Sequence, residues 1–200
     1  MRKVPLSFFN RSALVVAKEL LGCYLVTRDV RLRDATARQA GVTRYLITET
    51  EAYVGPHDLA SHSSKGRTKR TEVMYQRGGT IYVYLIYGMH NMLNIVTGEK
   101  GYPAAVLIRG IEYDEEDIHR PIIGPGNVAK ELHVDRMMNN KPLGTATNLW
   151  VEFPITPNKR KIIRTPRIGI DYAGPIWAKK EYRFVLRSPS LKLRRTEGGR

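Results

Sequence analysis

The chain holds one cysteine in 200 residues, and no apolar run approaches the roughly 18 uninterrupted residues of a membrane helix. Cys23 has no internal partner and cannot alone build a thiolate zinc site. A disulfide scaffold is therefore excluded, and a reducing compartment, cytoplasm or nucleus, is expected rather than secretion. The opening MRKVPLSFFNRSALVVAKELLGC has the basic tip of a secretion signal. Lys18 and Glu19 interrupt its apolar stretch and no small-residue cleavage site follows, so it reads as an amphipathic helix of the mature protein. Walker A, GxGxxG, HExxH and serine-elbow patterns are all missing. Acid is scarce too. Nineteen Asp+Glu face 33 Lys+Arg, a formal net charge of +14, the footprint of a polyanion binder. The excess is uneven: Lys159 to Arg200 carries 13 basic and 3 acidic residues, and KGRTKR (65–70) forms a second cluster.

What is present suits one folded domain, since 200 residues with a 42% hydrophobic fraction can bury a core. Apolar spacing predicts a helix over 10–22, with Asn10 or Ser12 as its cap. Strands are expected over 23–31, 44–53, 104–113, 148–153, 167–170 and 182–186, and over 80–97 with a turn or bulge at Gly88. Residues 31–41 read as a polar connection, and 57–79 as a loop. EYDEED (112–117) reads as a helix N-terminus or solvated turn, and GPGNVAKELHV as a helix start. These elements predict a single α+β domain over 1–190, with a basic tail over 191–200 that need not be ordered.

The segment RYLITETEAYVGP (44–56) raises the chemical question. Glu49 and Glu51 lie two apart on a strand, so about 6–7 Å apart on one face. Spacing alone leaves four readings open. They are a glycosidase-type carboxylate pair, two ligands of a Mg²⁺-dependent nuclease, a single general base with a structural neighbour, and a solvated strand edge. Tyr53 follows on the same face, and Tyr82 and Tyr84 share a face of the later strand. Tyr87 falls on the opposite phase just before Gly88, placed to protrude. Strand tyrosines commonly pack a core, the plainer reading for Tyr82. In a basic protein, aromatics beside carboxylates also suit stacked nucleobases. Arg109 within AAVLIRGIE needs a partner if buried, with Glu49 or Glu51 the obvious carboxylates. Asn94 is a similar polar intrusion in MLNIV. His62, just before the basic loop, could hydrogen-bond a ligand. Too few clustered ligands exist to suggest a metal.

Five blocks then resemble a known family in order: ETEAYVGPHDLASHSSKGRT, GTIYVYLIYGMHNMLNIV, AAVLIRGIE, GPGNVAKEL and RIGIDYAGPIWAKKEYRF. Nearly the whole chain is similar to the 3-methyladenine DNA glycosylases of the alkyladenine type. The resemblance implies a mixed domain around a curved, largely antiparallel sheet with flanking helices. It implies a monomer that needs no metal or redox cofactor and acts on double-stranded DNA containing damaged purines. It implies Glu51 as the base activating water, and Arg109 and the Ile168 carbonyl as its holders. Tyr53, His62 and Tyr84 would surround the flipped base, with Asn94 lining the pocket. Tyr87 would wedge into the vacated stack, with Met89 near it. Glu72 and Tyr75 depart from the asparagine and phenylalanine common there, as does the less familiar RDVRLRDATARQAG. A metal-dependent nuclease and a non-catalytic nucleic-acid-binding module remain the rival readings.

Overall fold

A computed structural model describes residues 1–28, 41–115, 118–156 and 160–187. The polar connection read at 31–41, apart from Gly41, and the tail from Ser188 lie outside those residues. So do the ends of the predicted domain boundary at 190/191. Among the described residues, ten strands and three α-helices build one α+β unit around a single open sheet in which every pairing is antiparallel.

Two twelve-residue strands form the spine: β3 (Val42–Tyr53) pairs with β6 (Ala104–Glu115). Beyond β3 come β2 (Tyr24–Arg28), β8 (Leu149–Phe153) and the short β1 (Arg2–Lys3). Beyond β6 come β5 (His90–Thr97) and β4 (Ile81–Ile86). Both spine strands change neighbours along their length. β3 leaves β2 after Leu46 and takes up β10 (Arg183–Leu186) from Glu49 to Glu51, and β10 in turn carries β9 (Ile162–Thr165). β6 pairs with β5 through Leu107 and with β7 (Ile118–Ile123) from Gly110. The β3–β6 register slips around Glu49, a bulge facing Gly110. A Cβ at Gly110 would lie 2.9 Å from that of Glu49, so glycine is required by the close approach. Glu49 and Glu51 thus sit where the spine changes partner.

One face of the sheet is covered by helices. α1 (Ala13–Glu19) buries Ala13, Val16, Ala17 and the following Leu20 at helical spacing against β3 and β6. α2 (Pro125–Glu131) starts with proline in its first turn and buries Val128 and Ala129 against β5 and β6. The alternate residues Ile81, Val83, Leu93, Ile95, Val106, Ile108 and Ile47 complete this core, with buried Cys23 among them. Burial pushes the Cys23 thiol up to about 12, so it stays protonated and inert.

Three local expectations need correction. The first helix is shorter than 10–22: a 3₁₀ turn occupies Leu6–Phe9 after Pro5, and α1 begins only at Ala13. Ser12 is at the cap position without its side chain capping. The described part of EYDEED, residues 112–115, is neither a helix start nor wholly solvated. Glu112–Glu115 continue β6, and Glu112 is buried because Arg160 (3.3 Å) and His119 (3.8 Å) meet its carboxylate. Residues 167–170 are not a strand; the strand lies earlier, as β9. Pro166 lacks the donor a ladder needs, Gly169 turns at φ 74°, and Arg167 is held elsewhere.

Candidate active site

The opposite sheet face is polar, and strand register builds it. Tyr82 pairs with Asn94, Asn94 with Leu107, and Leu107 with Glu51, so four strands present one row of side chains. The rows on either side hold Tyr84 opposite Met92 on one flank and Tyr53 opposite Ala105 on the other. The loop 57–79 and the segment after β9 lie over these rows and leave a groove of about 980 Å³. Glu51, Tyr53, His62, Tyr84, Tyr87, Arg109 and Ile168 all line it. A narrow slot of about 30 Å³ runs on from Tyr53, His62 and Tyr84 to Asn94. The structure therefore brings together every predicted site residue except Met89, which stands 74% exposed beside Tyr87 without lining the groove.

Glu51 has no exposed surface. Its Oε1 accepts from the Ile168 amide (2.9 Å) and its Oε2 from the Tyr53 hydroxyl (3.1 Å). Arg109 Nε lies 3.6 Å from Oε1. A carboxylate offers about four acceptor sites, so at least one stays free. Burial raises the Glu51 pKa, against the opposing pull of Arg109, the Ile168 amide and the Tyr53 hydroxyl; Glu49 adds to the rise. Glu49 differs. Its Oε1 is shared by Arg183 Nε (2.6 Å) and Arg109 Nε (3.0 Å), so two guanidiniums neutralise it. The expected partner of Arg109 is thus mainly Glu49. The main-chain contact seen at Ile168 is made by its N–H, whereas the resemblance implied its carbonyl.

The aromatic residues form a contiguous wall. His62 and Tyr84 meet edge to face, centroids 4.5 Å apart, and Tyr84 packs on Tyr82 at 5.4 Å. Tyr82 is buried, as core packing predicts, yet its hydroxyl also lies 3.0 Å from His62 Nδ1. Burial, with help from Arg70 and Lys65, pushes His62 down to about 4, so its ring is neutral at neutral pH. Burial likewise raises the phenols of Tyr53 and Tyr84, which stay protonated. Asn94 donates from Nδ2 to the Tyr82 (3.3 Å) and Met92 (3.2 Å) carbonyls. Tyr87 is 88% exposed at the tip of the β4–β5 hairpin.

Sequence reasoning missed one pair altogether. Arg167 and Asp58 are both fully buried and joined by two bonds, Nη1 to Oδ2 (2.6 Å) and Nη2 to Oδ1 (2.8 Å). Nη1 also donates to the Ala52 carbonyl (2.8 Å), and the guanidinium stands 4.7 Å over the Tyr53 ring. Because Arg167 precedes Ile168, this pair fixes the amide that holds Glu51. The available signal was a basic residue inside the otherwise small and apolar PRIGI. At the two positions that depart from the familiar pattern, Glu72 takes Arg67 in a bidentate pair (2.6 and 2.7 Å). The same guanidinium lies 4.9 Å over Tyr75.

Comparison with known proteins gives the family. The sequence profile described as Methylpurine-DNA glycosylase (MPG) matches residues 7–190. A Legionella pneumophila (strain Corby) protein named "Putative 3-methyladenine DNA glycosylase" is 43% identical over 187 residues, covering 94% of this chain and 96% of its own. Proteins of the same name from Myxococcus xanthus and Methanocella arvoryzae are 44% and 39% identical, over 94% and 99% of this chain and 91% and 99% of theirs. The chain belongs to the methylpurine-DNA glycosylase family, a family of DNA glycosylases.

Proposed function

We propose that the protein excises damaged purines from duplex DNA by hydrolysing the N-glycosidic bond, with Glu51 as the general base. The observation that carries this reading is Glu51 itself, a carboxylate sealed from solvent and raised in pKa on the floor of an aromatic groove. A carboxylate kept out of bulk water and lining the groove is suited to taking a proton from one bound water. The oxygen of that water attacks C1′, the C1′–N bond breaks, and the base leaves with the bonding pair. An alkylpurine cation departs neutral, which explains how a site with few acids suffices for it. Arg109 and the Ile168 main chain position the water, leaving an abasic site and no lyase product.

The base must leave the stack, at about a few kcal/mol, least for damaged or mispaired bases. His62 and Tyr84 make one wall and Tyr53 supplies the other, with Asn94 at the deep end. Tyr87 and Met89 at the hairpin tip fill the gap left in the duplex. Lys65, Lys69 and the basic stretch from Lys159 onward grip phosphates, giving salt-dependent and sequence-independent affinity.

A duplex carrying one hypoxanthine or 3-methyladenine tests the reading: free base and an alkali-labile site are expected, without added metal. Base release should fall about 10³-fold in Glu51→Gln, within the usual span of acid–base catalysis. Undiminished release from that variant would end the role given to Glu51. The Mg²⁺-nuclease reading is the weaker one on donor chemistry. A cation beside Glu49 would meet Arg109 and Arg183, and no cluster of three His, Cys, Asp or Glu occurs among the described residues.

A further inference from the structure

The basic loop is built to hold one cation over the pocket. Gly66 turns the chain at φ 84°, and the Thr71 hydroxyl then donates to the Gly66 carbonyl (3.0 Å) while accepting from the Thr68 amide (2.8 Å). Thr71 is buried, so the short turn between these threonines is pinned and fixes the backbone of Lys69 and Arg70. Arg67 is taken by Glu72, on the exposed surface. Arg70 instead reaches the groove, where its Cζ lies 5.2 Å over the Tyr84 ring and its Nη2 3.5 Å from His62 Nε2. A guanidinium only donates, so Nε2 meets it as an acceptor and the ring proton belongs on Nδ1, toward Tyr82.

Charge balance sets Arg70 apart from the other arginines of the site. Arg109 and Arg183 face Glu49 and Glu51, and Arg167 faces Asp58, so three guanidiniums meet three carboxylates. Among the described residues Arg70 pairs with no carboxylate, and neutral His62 beside it offsets nothing. It therefore places a net positive charge at the mouth, against the Tyr84 ring. One ring face that already holds a cation has little attraction left for a second.

Resting on the glycosylase reading, we propose that Arg70 determines specificity: it disfavours bases of fixed positive charge and favours neutral damaged purines, to whose carbonyl or ring nitrogen it donates a hydrogen bond. A neutral base loses nothing by lying beside a guanidinium and gains a donor. A 7-methylpurinium must move the side chain out of the groove or lie against a like charge. The bias is a ratio between substrate classes, imposed on leaving groups whose intrinsic order is the reverse.

The test measures single-turnover base release from two duplexes, one with 7-methylguanine and one with hypoxanthine, at saturating protein. In Arg70→Gln, the rate on 7-methylguanine relative to hypoxanthine is expected to rise about tenfold, the scale of one cation–ring contact. Arg70→Lys, which keeps the charge, should hold the ratio near that of the unsubstituted protein. Arg70 is exposed, so neither change threatens folding. An equal loss on both duplexes with a shallower salt dependence would make Arg70 a phosphate contact and overturn the proposal. An unchanged ratio would overturn it too. Failure of the unsubstituted protein to release either base would instead remove the glycosylase reading, and the selectivity with it.

Discussion

Two buried charge clusters flank Tyr53, and they are built differently. On one side Arg167 and Asp58 form a closed pair, one cation to one anion, with two short bonds and no exposure. On the other, Arg109 and Arg183 converge on Glu49, while Glu51 keeps only the longer Arg109 contact with an amide and a phenol. The closed pair satisfies its charges, so it can only position what is attached to it. The open cluster leaves one carboxylate under-neutralised and raised in pKa, the condition for a base. The closed pair balances its charges, although Arg167 Nε is left without a hydrogen bond, whereas the cluster shaped for chemistry leaves its carboxylate short of a cation.

Breaking the closed pair should have the largest effect. Asp58→Ala strands a buried guanidinium, for which about 3–5 kcal/mol of stability is expected to be lost. Urea unfolding measures it. A cost under about 1 kcal/mol would mean that solvent reaches Arg167 after all. The open cluster should respond in activity more than in stability. Glu49 is among the groups that raise the Glu51 pKa, so Glu49→Gln lowers it and frees Arg109 for Glu51. Base release at neutral pH is expected to drop roughly threefold, since a weaker base is a poorer proton acceptor. The acid limb of kcat/KM should move to lower pH. A limb that moved upward would show Glu49 assisting ionisation rather than opposing it.

The unsubstituted protein carries a sign that separates the two clusters further. With its folded pKa raised above the unfolded value, Glu51 is protonated more readily in the native state. Its contribution to stability is fully present below the unfolded carboxyl value, about 4.3, and is lost as pH rises through the folded one. Glu51→Gln is therefore expected to melt above the unsubstituted protein at neutral pH, the advantage vanishing on acidification. In activity, kcat/KM should fall as pH drops through the raised value, above the ordinary carboxylate range. Thermal melts at two pH values and one pH–rate profile check both statements.

Much of the open cluster was legible in the sequence. Two glutamates at i and i+2, an arginine inside AAVLIRGIE and an asparagine inside MLNIV are polar residues that apolar strands do not supply by chance. Alternation then places Tyr53 with them. The closed pair was not legible, because its partners are 109 residues apart and each looks ordinary locally: an aspartate in a loop, and an arginine after proline. The pattern IGI also imitates a strand, and only the missing Pro166 donor and the Gly169 turn undo it. Arg183 reads as a solvated strand residue until β10 is laid beside Glu49. Period-two alternation reports which face a residue takes. It does not report that β3 changes neighbours midway, which decides how many arginines each glutamate meets.

The smallest expected effect lies outside both clusters, at the tip of the β4–β5 hairpin. Tyr87 and Gly88 have φ of 52° and 70°, both in the left-handed region, within the three-residue loop between the paired Ile86 and His90. Glycine takes that geometry freely, but tyrosine does so at about 1 kcal/mol, and here no burial offsets it because the ring is 88% exposed. Tyr87→Asn, which tolerates the conformation, is thus expected to raise the melting temperature by about 2–4 °C. The same change should lower base release from duplex DNA more than from a single strand, where no stack has to be refilled. Asparagine that stabilised the fold and left duplex activity intact would mark the strain as incidental. Gain in stability with loss on duplex alone would mean that the strained tyrosine is retained for what its ring does to DNA, a cost the closed Arg167–Asp58 pair has no reason to carry.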